Sequence, residues 1–269
     1  MHEEIFRNNP HVSKIIRASF FSAPWDYLMY TFQKRKFLAT NYGNLCTSLY
    51  YRKKKAVDVI AEMLDVDLVD RTLEVYLTEE EEKAAQQILA AYPNPVIIHV
   101  TSITTKNQEW PFEQWERLVA ETPEFTFIQL GLAGEYPVKG AISFLGKTSF
   151  RLGLALMKHA LGFVGVVSSF AHATNAVDIR GVVLFGASTP EIWGHENNIN
   201  LYKHLPCAPC VDLLLSSRCP YNKTCMRSIT VSEVKDALSR QVSVKRSSKT
   251  QAKLSIQASK MQRVQPRPL

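Results

Sequence analysis

The fold of this chain is decided by the segment Phe163-Val-Gly-Val-Val-Ser-Ser-Phe-Ala-His172-Ala-Thr-Asn-Ala-Val-Asp178, which is followed by Gly181-Val-Val-Leu-Phe-Gly186-Ala-Ser-Thr-Pro190. The first five residues are apolar and partly β-branched, which is typical of a strand buried on both faces. Ser168 and Ser169 stand where a helix N-cap is expected. In an open parallel sheet, such strand-to-helix turns line the crevice where ligands bind. We therefore expect the functional site at the turns that end these two strands.

The composition is ordinary for a soluble globular protein, with 46% hydrophobic residues in 269. No apolar run is long enough to span a bilayer, and the acidic first ten residues do not resemble a secretory signal. The formal net charge is +7, but residues 241–269 hold seven basic side chains and no acidic one, so the remainder is near neutral. We predict a disordered basic tail over residues 241–269, because it has few large apolar side chains. Its adhesion to anionic lipid or nucleic acid is the less favoured interpretation.

From Pro95 onward, strand-like and helical segments alternate. Strands are predicted at 96–100, 125–130, 142–145, 163–167 and at a segment ending with Phe185. Helices are predicted after Trp110, after Ser149 and after Ser169. This alternation predicts an α/β fold with a parallel sheet covered by helices on both faces.

The first ninety residues have a weaker pattern. Apolar positions over 57–64 predict a helix face, and residues 73–77 alternate like a strand. The basic run 50–55 predicts a solvated surface, with a phosphate or acceptor contact as the minority interpretation. Thr78 and Glu81 form a capping box that predicts a helix to about residue 91, and Thr230 with Glu233 predicts a final helix.

Four of the five cysteines lie close together in sequence: Cys207, Cys210, Cys219 and Cys225. A C-x2-C pair followed by two more cysteines predicts a tetrahedral metal site, and four thiolates suit zinc or iron. A closed site of this kind would be structural. Two disulfides or unrelated thiols remain the alternatives, and Cys46 stands alone.

Several short motifs occur in an order that resembles one known family. They are His99-x-Thr-Ser, Lys106, Trp110-Pro-x-x-x-Trp115, Gly146-Lys-Thr-Ser149, Ser168-Ser-x-Ala-His172-Ala and Phe185-Gly-x-Ser-x-Pro190. Together they resemble the C-terminal half of the heptosyltransferases, glycosyltransferase family 9, over about residues 95–240. The cysteine-containing end is similar to the bacterial autotransporter heptosyltransferases, which carry a Cys-bound iron finger.

The resemblance implies the two-domain GT-B architecture. Residues 1–90 would be a truncated N-terminal, acceptor-side domain. Residues 91–240 would be a Rossmann-like domain that binds a nucleotide sugar and includes a four-cysteine metal knuckle at 207–225. Residues 241–269 would be the basic tail.

The resemblance also implies an activity, which is inverting, metal-independent transfer of a sugar from a nucleotide donor. The donor expected is ADP-heptose, and the acceptor is lipopolysaccharide or a protein hydroxyl. Iron or zinc would be structural, without a redox cofactor. The implied location is cytoplasmic, including the inner face of the inner membrane, with an oligomer left open and no nucleic-acid partner.

By position in the motifs, the resemblance assigns donor contacts to six residues: Thr101, Ser102 and Lys106 at the diphosphate, and Ser168, Ser169 and His172 at the diphosphate-sugar. It also implies a ribose contact by Glu135 or a neighbour. Hydroxyl and N–H groups at a strand end suit phosphate oxygens, and an ammonium offsets charge on the leaving group. Without the resemblance, His99 and His172 are expected to be structural and Lys106 a solvated surface residue. Trp110 and Trp115 are expected to pack in the core or on the surface.

The chain departs from the family pattern at two places. Val167 stands where the family usually has an Asp that positions the donor sugar. The family's N-terminal strand and Gly-Asp turn, whose Asp is the candidate general base, is not found, so no catalytic residue is assigned. We expect a fragment or an impaired copy, and loss of a base costs about 10²–10⁴-fold in rate.

Two other hypotheses stay open. The chain could be a non-catalytic nucleotide-sugar-binding or assembly module that retains the donor fold. A weaker hypothesis is a metal-knuckle nucleic-acid binder that uses the basic tail.

Overall fold

The computed structural model describes residues 2–15, 54–210 and 218–245. Cys46, residues 50–53 of the basic run and the tail from residue 246 onward lie outside the described residues, so the predictions made for them stay predictions. In the described ranges, no helix has the length and apolar character needed to cross a membrane.

One sheet organises the described part of the chain. Its six strands are all parallel and run in the order β3-β2-β1-β4-β5-β6. They are β1 (Pro95–His99), β2 (Thr126–Gln129), β3 (Ile142–Ser143), β4 (Gly162–Val166), β5 (Val182–Phe185) and β6 (Ile199–Tyr202). The strand order reverses between β1 and β4, where Val96 pairs with Gly162. A ligand crevice is expected beside this reversal, at the carboxyl ends of these strands.

Helices cover both faces of the sheet. They are α1 (His2–Ile5), α2 (Ala56–Leu64), α3 (Glu79–Leu89), α4 (Phe112–Ala120), α5 (Phe150–His159), α6 (Ser169–Ala176), α7 (Pro190–Trp193), α8 (Thr224–Arg227) and α9 (231–245). A 3-10 turn, Lys106–Gln108, precedes α4. The predicted parallel α/β class is therefore confirmed.

Alternation along the strands divides the core into two clusters. Val96 and Ile98 of β1 pack in the cluster that includes Trp115 of α4 and Leu238 of α9. Ile97 points the other way, into the cluster formed by α3 and α5. Successive strand residues face opposite sides, and both sides are buried here, so the strands are continuously apolar.

A buried arginine joins the N-terminal segments to α5. Arg151 is 3% exposed, and its Nε and Nη2 donate to the two carboxylate oxygens of Glu81 at 2.5 and 2.6 Å. Nη1 donates to the carbonyl of Glu4 at 2.9 Å, and Nη2 donates to the carbonyl of Tyr76 at 2.6 Å. We call these residues the α5 junction. The junction attaches α1, α3 and the chain around residue 76 to the sheet domain.

The helix starts are placed as the sequence predicts. Thr78 and Glu81 form a complete capping box, and Thr230 and Glu233 exchange the same pair of bonds. Ser168 caps α6, because its Oγ accepts from the N–H of Ala171 at 3.4 Å.

Three features of the secondary structure differ from the sequence-based expectations. Residues 73–77 form no strand, because Val75 and Leu77 pack against the α3–α5 cluster instead of pairing at a sheet edge. Strand β6 was not predicted, since its four residues are only partly buried and give no apolar run. Residues 241–245 continue α9 instead of starting the tail, because Gln241 and Val242 are buried one turn after Leu238.

Candidate functional site

A cleft of about 530 Å³ opens at the carboxyl ends of β1, β2 and β4. Its wall is built mainly by the turns that follow these strands, by the start of α5 and by the residues after β5. The lining residues are His99, Thr101, Ser102, Ile103, Thr104, Gln108, Gly131, Leu132, Glu135, Thr148, Ser149, Phe150, Val167, Ser168, Ser169, Phe170, His172, Ser188 and Trp193. The cleft therefore lies at the reversal of strand order.

The structure brings most of the predicted donor-binding residues to this cleft. Those that line it are Thr101, Ser102, Glu135, Ser168, Ser169 and His172. Lys106 does not line it. Parallel strands end at one edge of the sheet, so turns far apart in sequence meet there.

Glu135 is bonded on both carboxylate oxygens. Its Oε2 accepts from the Thr101 hydroxyl at 2.9 Å, and its Oε1 accepts from the N–H of Leu132 at 2.9 Å. A Cβ on Gly131 would lie 2.4 Å from Glu135 Oε2, so only glycine leaves room for this carboxylate. The turn after β2 is thus fastened to the turn after β1.

Lys106 is turned toward Glu109. Its Nζ donates to Glu109 Oε1 at 2.8 Å, and the same oxygen accepts from the N–H of Ser102 at 2.9 Å. The Lys106 side chain is 77% exposed. An exposed ion pair of this kind contributes about 0–1 kcal/mol, so the ammonium can leave it at little cost.

The N-terminus of α6 lies at the cleft. Ser168 caps the helix and Ser169, in its first turn, is exposed. The first N–H groups of a helix and its dipole favour a negative group at this end. Val167 precedes them and also lines the cleft.

Two histidines meet beside α6. His172 Nδ1 lies 2.9 Å from His195 Nε2, and the ring of Trp193 is 5.9 Å from that of His172. Burial, with a smaller contribution from the neighbouring His195, lowers the pKa of His172 to about 4. Burial also lowers the pKa of His195, as does the nearby ammonium of Lys55. The sequence did not predict this group, because no motif marks Trp193 or the loop with His195, and Lys55 was expected on a solvated surface.

His99 stands at the end of β1. Burial lowers the pKa of His99 to about 4, and its ring centroid is 5.0 Å from that of Phe170. Its Nδ1 is buried and has no hydrogen-bond partner among the described residues. His99 is therefore neutral at pH 7.

A buried polar pair closes the inner wall of the cleft. The Ser188 hydroxyl donates to Gln108 Oε1, and both residues are buried. The pair links the turn after β1 to the turn after β5. Its partners are 80 positions apart in sequence, so sequence reasoning did not find it.

The cleft holds little charge. Of the residues that line it in the described part of the chain, Glu135 is the only one charged at neutral pH. Hydroxyl groups, N–H groups and two neutral imidazoles make up most of the remaining polar surface. Such a lining suits a ligand that brings its own negative charge.

The model of glycosyltransferase family 9 (heptosyltransferase) matches residues 53–219. This chain belongs to that family. A comparison with curated proteins gave no match.

Solved structures of family 9 enzymes share the fold of this family 9 chain. The glycosyl transferase family 9 protein of Veillonella parvula is 15% identical with a TM-score of 0.54, covering 70% of this chain and 60% of that one. E. coli ADP-heptose lps heptosyltransferase II is 13% identical with a TM-score of 0.55, covering 70% and 62%.

The iron-containing dodecameric glycosyltransferase TibC of E. coli H10407 is 19% identical to the family 9 chain, with a TM-score of 0.56, covering 71% and 54%. A second TibC structure is a complex with ADP-D-beta-D-heptose. The family 9 chain thus spans between 54% and 62% of the length of these three proteins.

In the described part of the chain, the four clustered cysteines are not joined in disulfides. Burial raises the pKa of Cys225, and the nearby Cys207 and Cys219 raise it further. The N–H of Cys210 donates to the carbonyl of Ala187 at 2.9 Å, beside Gly186, where an added Cβ would lie 3.3 Å from Cys225 Sγ. The cysteines therefore gather beyond the end of β5. Within the described ranges, no group of three or more His, Cys, Asp or Glu residues is arranged to hold a metal ion.

Proposed function

We propose that this family 9 chain binds a nucleotide-diphosphate sugar in the cleft and transfers the sugar to an acceptor hydroxyl. ADP-heptose is the proposed donor, because the similar E. coli heptosyltransferase II is an ADP-heptose enzyme and a similar TibC structure is a complex with ADP-D-beta-D-heptose. The observation that carries the proposal is the pairing of a hydroxyl-rich turn after β1 with the N-terminus of α6 across a cleft with little charge of its own.

The diphosphate would lie between these two elements. Thr101 and Ser102 would contact it from one side, and Ser168, Ser169 and His172 from the other. Hydroxyl and backbone N–H donors that are already in place stabilise the diphosphate as it gains charge on leaving the sugar. Lys106 would leave Glu109 for the diphosphate at a cost of at most about 1 kcal/mol.

Glu135 would accept hydrogen bonds from the ribose hydroxyls. In the structure its Oε2 is bonded to the Thr101 hydroxyl. A ribose hydroxyl can replace that donor without leaving the carboxylate unpaired. The Thr101 hydroxyl would then be free to turn toward the diphosphate.

The second candidate function is a nucleotide-sugar-binding module without turnover. Two observations favour it. Val167 puts an apolar side chain in the cleft, and Glu135, the one carboxylate among the described lining residues, already accepts from Thr101 and Leu132. With no base assigned, transfer would lose about 10²–10⁴-fold in rate.

Calorimetry with ADP and ADP-heptose, together with a sugar-transfer assay, tests both functions. We expect ADP to bind and Ser169→Ala to weaken binding about fivefold, by one lost hydrogen bond. Ser239→Ala, on the exposed side of α9, is the matched control and should leave binding unchanged. Failure of ADP and ADP-heptose to bind would refute both functions. Binding of ADP-heptose without transfer to lipopolysaccharide or protein would select the binding module.

We also propose a structural iron or zinc ion, because four cysteines supply soft ligands and Cys207 and Cys219 lie close enough to Cys225 to raise its pKa. Cys207, Cys210, Cys219 and Cys225 would hold it, and it would brace the chain beyond β5. Elemental analysis should find about one metal per chain, and Cys225→Ser should remove most of it. Four titratable thiols with no metal would refute this part of the proposal.

The acceptor and the assembly follow from the same family. We propose lipopolysaccharide or a protein hydroxyl as acceptor, reached from the cytoplasmic face of the membrane, and an oligomer like the dodecameric TibC. Sedimentation of the purified chain tests the oligomer: a monomer at micromolar concentration would rule it out.

A further inference from the structure

Two imidazole rings lie within hydrogen-bonding distance of each other at the edge of the cleft. His172 Nδ1 lies 2.9 Å from His195 Nε2, and the rings are nearly perpendicular, at 81°. His172 lines the cleft, whereas His195 stands behind it, in the loop after α7. At this distance one nitrogen donates and the other accepts.

Both rings are neutral at pH 7. Burial is the main reason that the pKa of each ring is lowered, to about 4 for His172. A neutral imidazole carries one proton, on either of its two nitrogens. The bond between the rings therefore couples their tautomers: the nitrogen protonated in one ring decides which is protonated in the other.

The ammonium of Lys55 lies near His195 and bears on the direction of this bond. Its Nζ donates to the carbonyl of Gly194 at 2.9 Å, next to His195, and the ammonium disfavours positive charge on that ring. Because His195 Nε2 makes the hydrogen bond to His172, the ammonium acts on the protonation of the other nitrogen of the His195 ring, Nδ1. A nearby cation favours a lone pair over an N–H there. The His195 proton then lies on Nε2 and is donated to His172 Nδ1.

We infer that His195 is a positioning residue that holds His172 in the tautomer protonated at Nε2, so that His172 offers an N–H donor to an anionic oxygen in the cleft. The ligand, a phosphate oxygen of the donor, rests on the proposed function. Phosphate oxygens only accept hydrogen bonds, so the opposite tautomer would meet them with a lone pair. Without His195, His172 is free to move its proton to Nδ1.

The tautomer can be measured without any ligand. Long-range ¹H–¹⁵N spectra of the ¹⁵N-labelled full chain at pH 7.5 distinguish the two nitrogens of each ring, and the missing signals of His172→Gln and His195→Gln assign the pair. We expect His172 and His195 both to be protonated at Nε2. A His172 proton on Nδ1 in the parent chain would overturn the inference, whether or not any donor binds.

Two variants of His195 separate positioning from packing. His195→Gln supplies an amide N–H near the position of Nε2, so it should keep the His172 tautomer and hold ADP affinity within about twofold. His195→Leu removes the hydrogen-bond donor, so His172 should show a mixture of both tautomers. ADP affinity should fall about tenfold, which is the effect expected for the loss of one charge-assisted hydrogen bond. His204→Gln, an exposed histidine outside the cleft, is the control.

The outcomes distinguish this inference from the proposed function. If the parent chain shows the expected tautomer but binds no ADP, the proposed function fails and the positioning role stands. If His195→Leu keeps both the tautomer and the ADP affinity of the parent, the positioning role is wrong. If that variant does not fold, the parent tautomer and the rescue by Gln decide the question.

Discussion

Two polar regions of this chain use charge in opposite ways. The α5 junction buries a full charge, Arg151, and pairs it at once with Glu81 and with backbone carbonyls. The cleft keeps charge out: of its lining residues in the described ranges, Glu135 alone is charged, and the rest of its polar surface is neutral. A buried ion pair holds structure together only when every partner is satisfied internally. A site for a charged ligand must instead leave its donors available.

The largest effect of a single substitution is expected at Arg151, in the α5 junction. Arg151→Met removes the guanidinium from the Glu81 carboxylate and from two backbone carbonyls, so the free energy of unfolding should fall by about 2–3 kcal/mol. Urea denaturation measures this. Arg117→Met is the matched control, since Arg117 is 61% exposed and pairs with Glu121 at the surface, so its loss should leave the free energy of unfolding nearly unchanged. Equal losses for the two variants would contradict a special role for the junction.

The neutral histidines of the cleft predict how stability depends on pH. The pKa of His99 and of His172 is lowered to about 4 from an ordinary value of 6.5, in each case mainly by burial. The unfolded chain therefore binds more protons than the folded chain between these values, and stability falls as the pH drops below about 6.5. From pH 6.5 to pH 5 each ring should cost about 2 kcal/mol.

Urea unfolding at pH 7.5 and at pH 5 measures that loss. His99→Gln should remove its share of the pH dependence, while His204→Gln, which is exposed, should not. A pH dependence unaffected by His99→Gln would mean that His99 is not held neutral by burial.

Lys106 tests whether the cleft takes a positive charge from a residue that does not line it. Its ammonium lies outside the cleft and could turn toward a bound diphosphate. Lys106→Met should weaken ADP binding about tenfold, the scale of one hydrogen bond to a charged group, while changing unfolding free energy by less than about 1 kcal/mol. Lys83→Met removes a similar exposed pair, with Glu79, and should leave ADP binding unchanged. If ADP affinity is unchanged in both variants, Lys106 does not contact the donor and stays paired with Glu109.

The smallest effect is expected at Val167. Val167→Asp should strengthen ADP-heptose binding about fivefold, by about one hydrogen bond to the sugar, without a matching gain for ADP. Val244→Asp adds the same charge to the exposed side of α9 and serves as control. If ADP-heptose affinity does not rise, the assignment of this turn to the donor sugar is wrong.

The sequence predicted most residues of the cleft, because the turns that form it depend on residues close together in the chain. Ser168 and Ser169 come directly after a buried strand and at a helix start, so their place at the carboxyl edge of a parallel sheet follows from the order of elements. The family motifs added Thr101, Ser102 and His172, and the resemblance added Glu135, all of which line the cleft. The same motifs named Lys106, but its side chain pairs with Glu109. The local sequence does not determine which way an exposed lysine side chain turns.

The sequence by itself thus determined the parallel sheet, the helix starts and the edge where the cleft lies, because strand burial and helix capping depend on residues a few positions apart. Tertiary structure alone decided which distant groups meet: Arg151 with Glu81, Ser188 with Gln108, and His172 with His195. These contacts span 23 to 80 positions and carry no periodic signal. Their energies depend on burial and on the distance between two groups, and both exist only after the chain has folded.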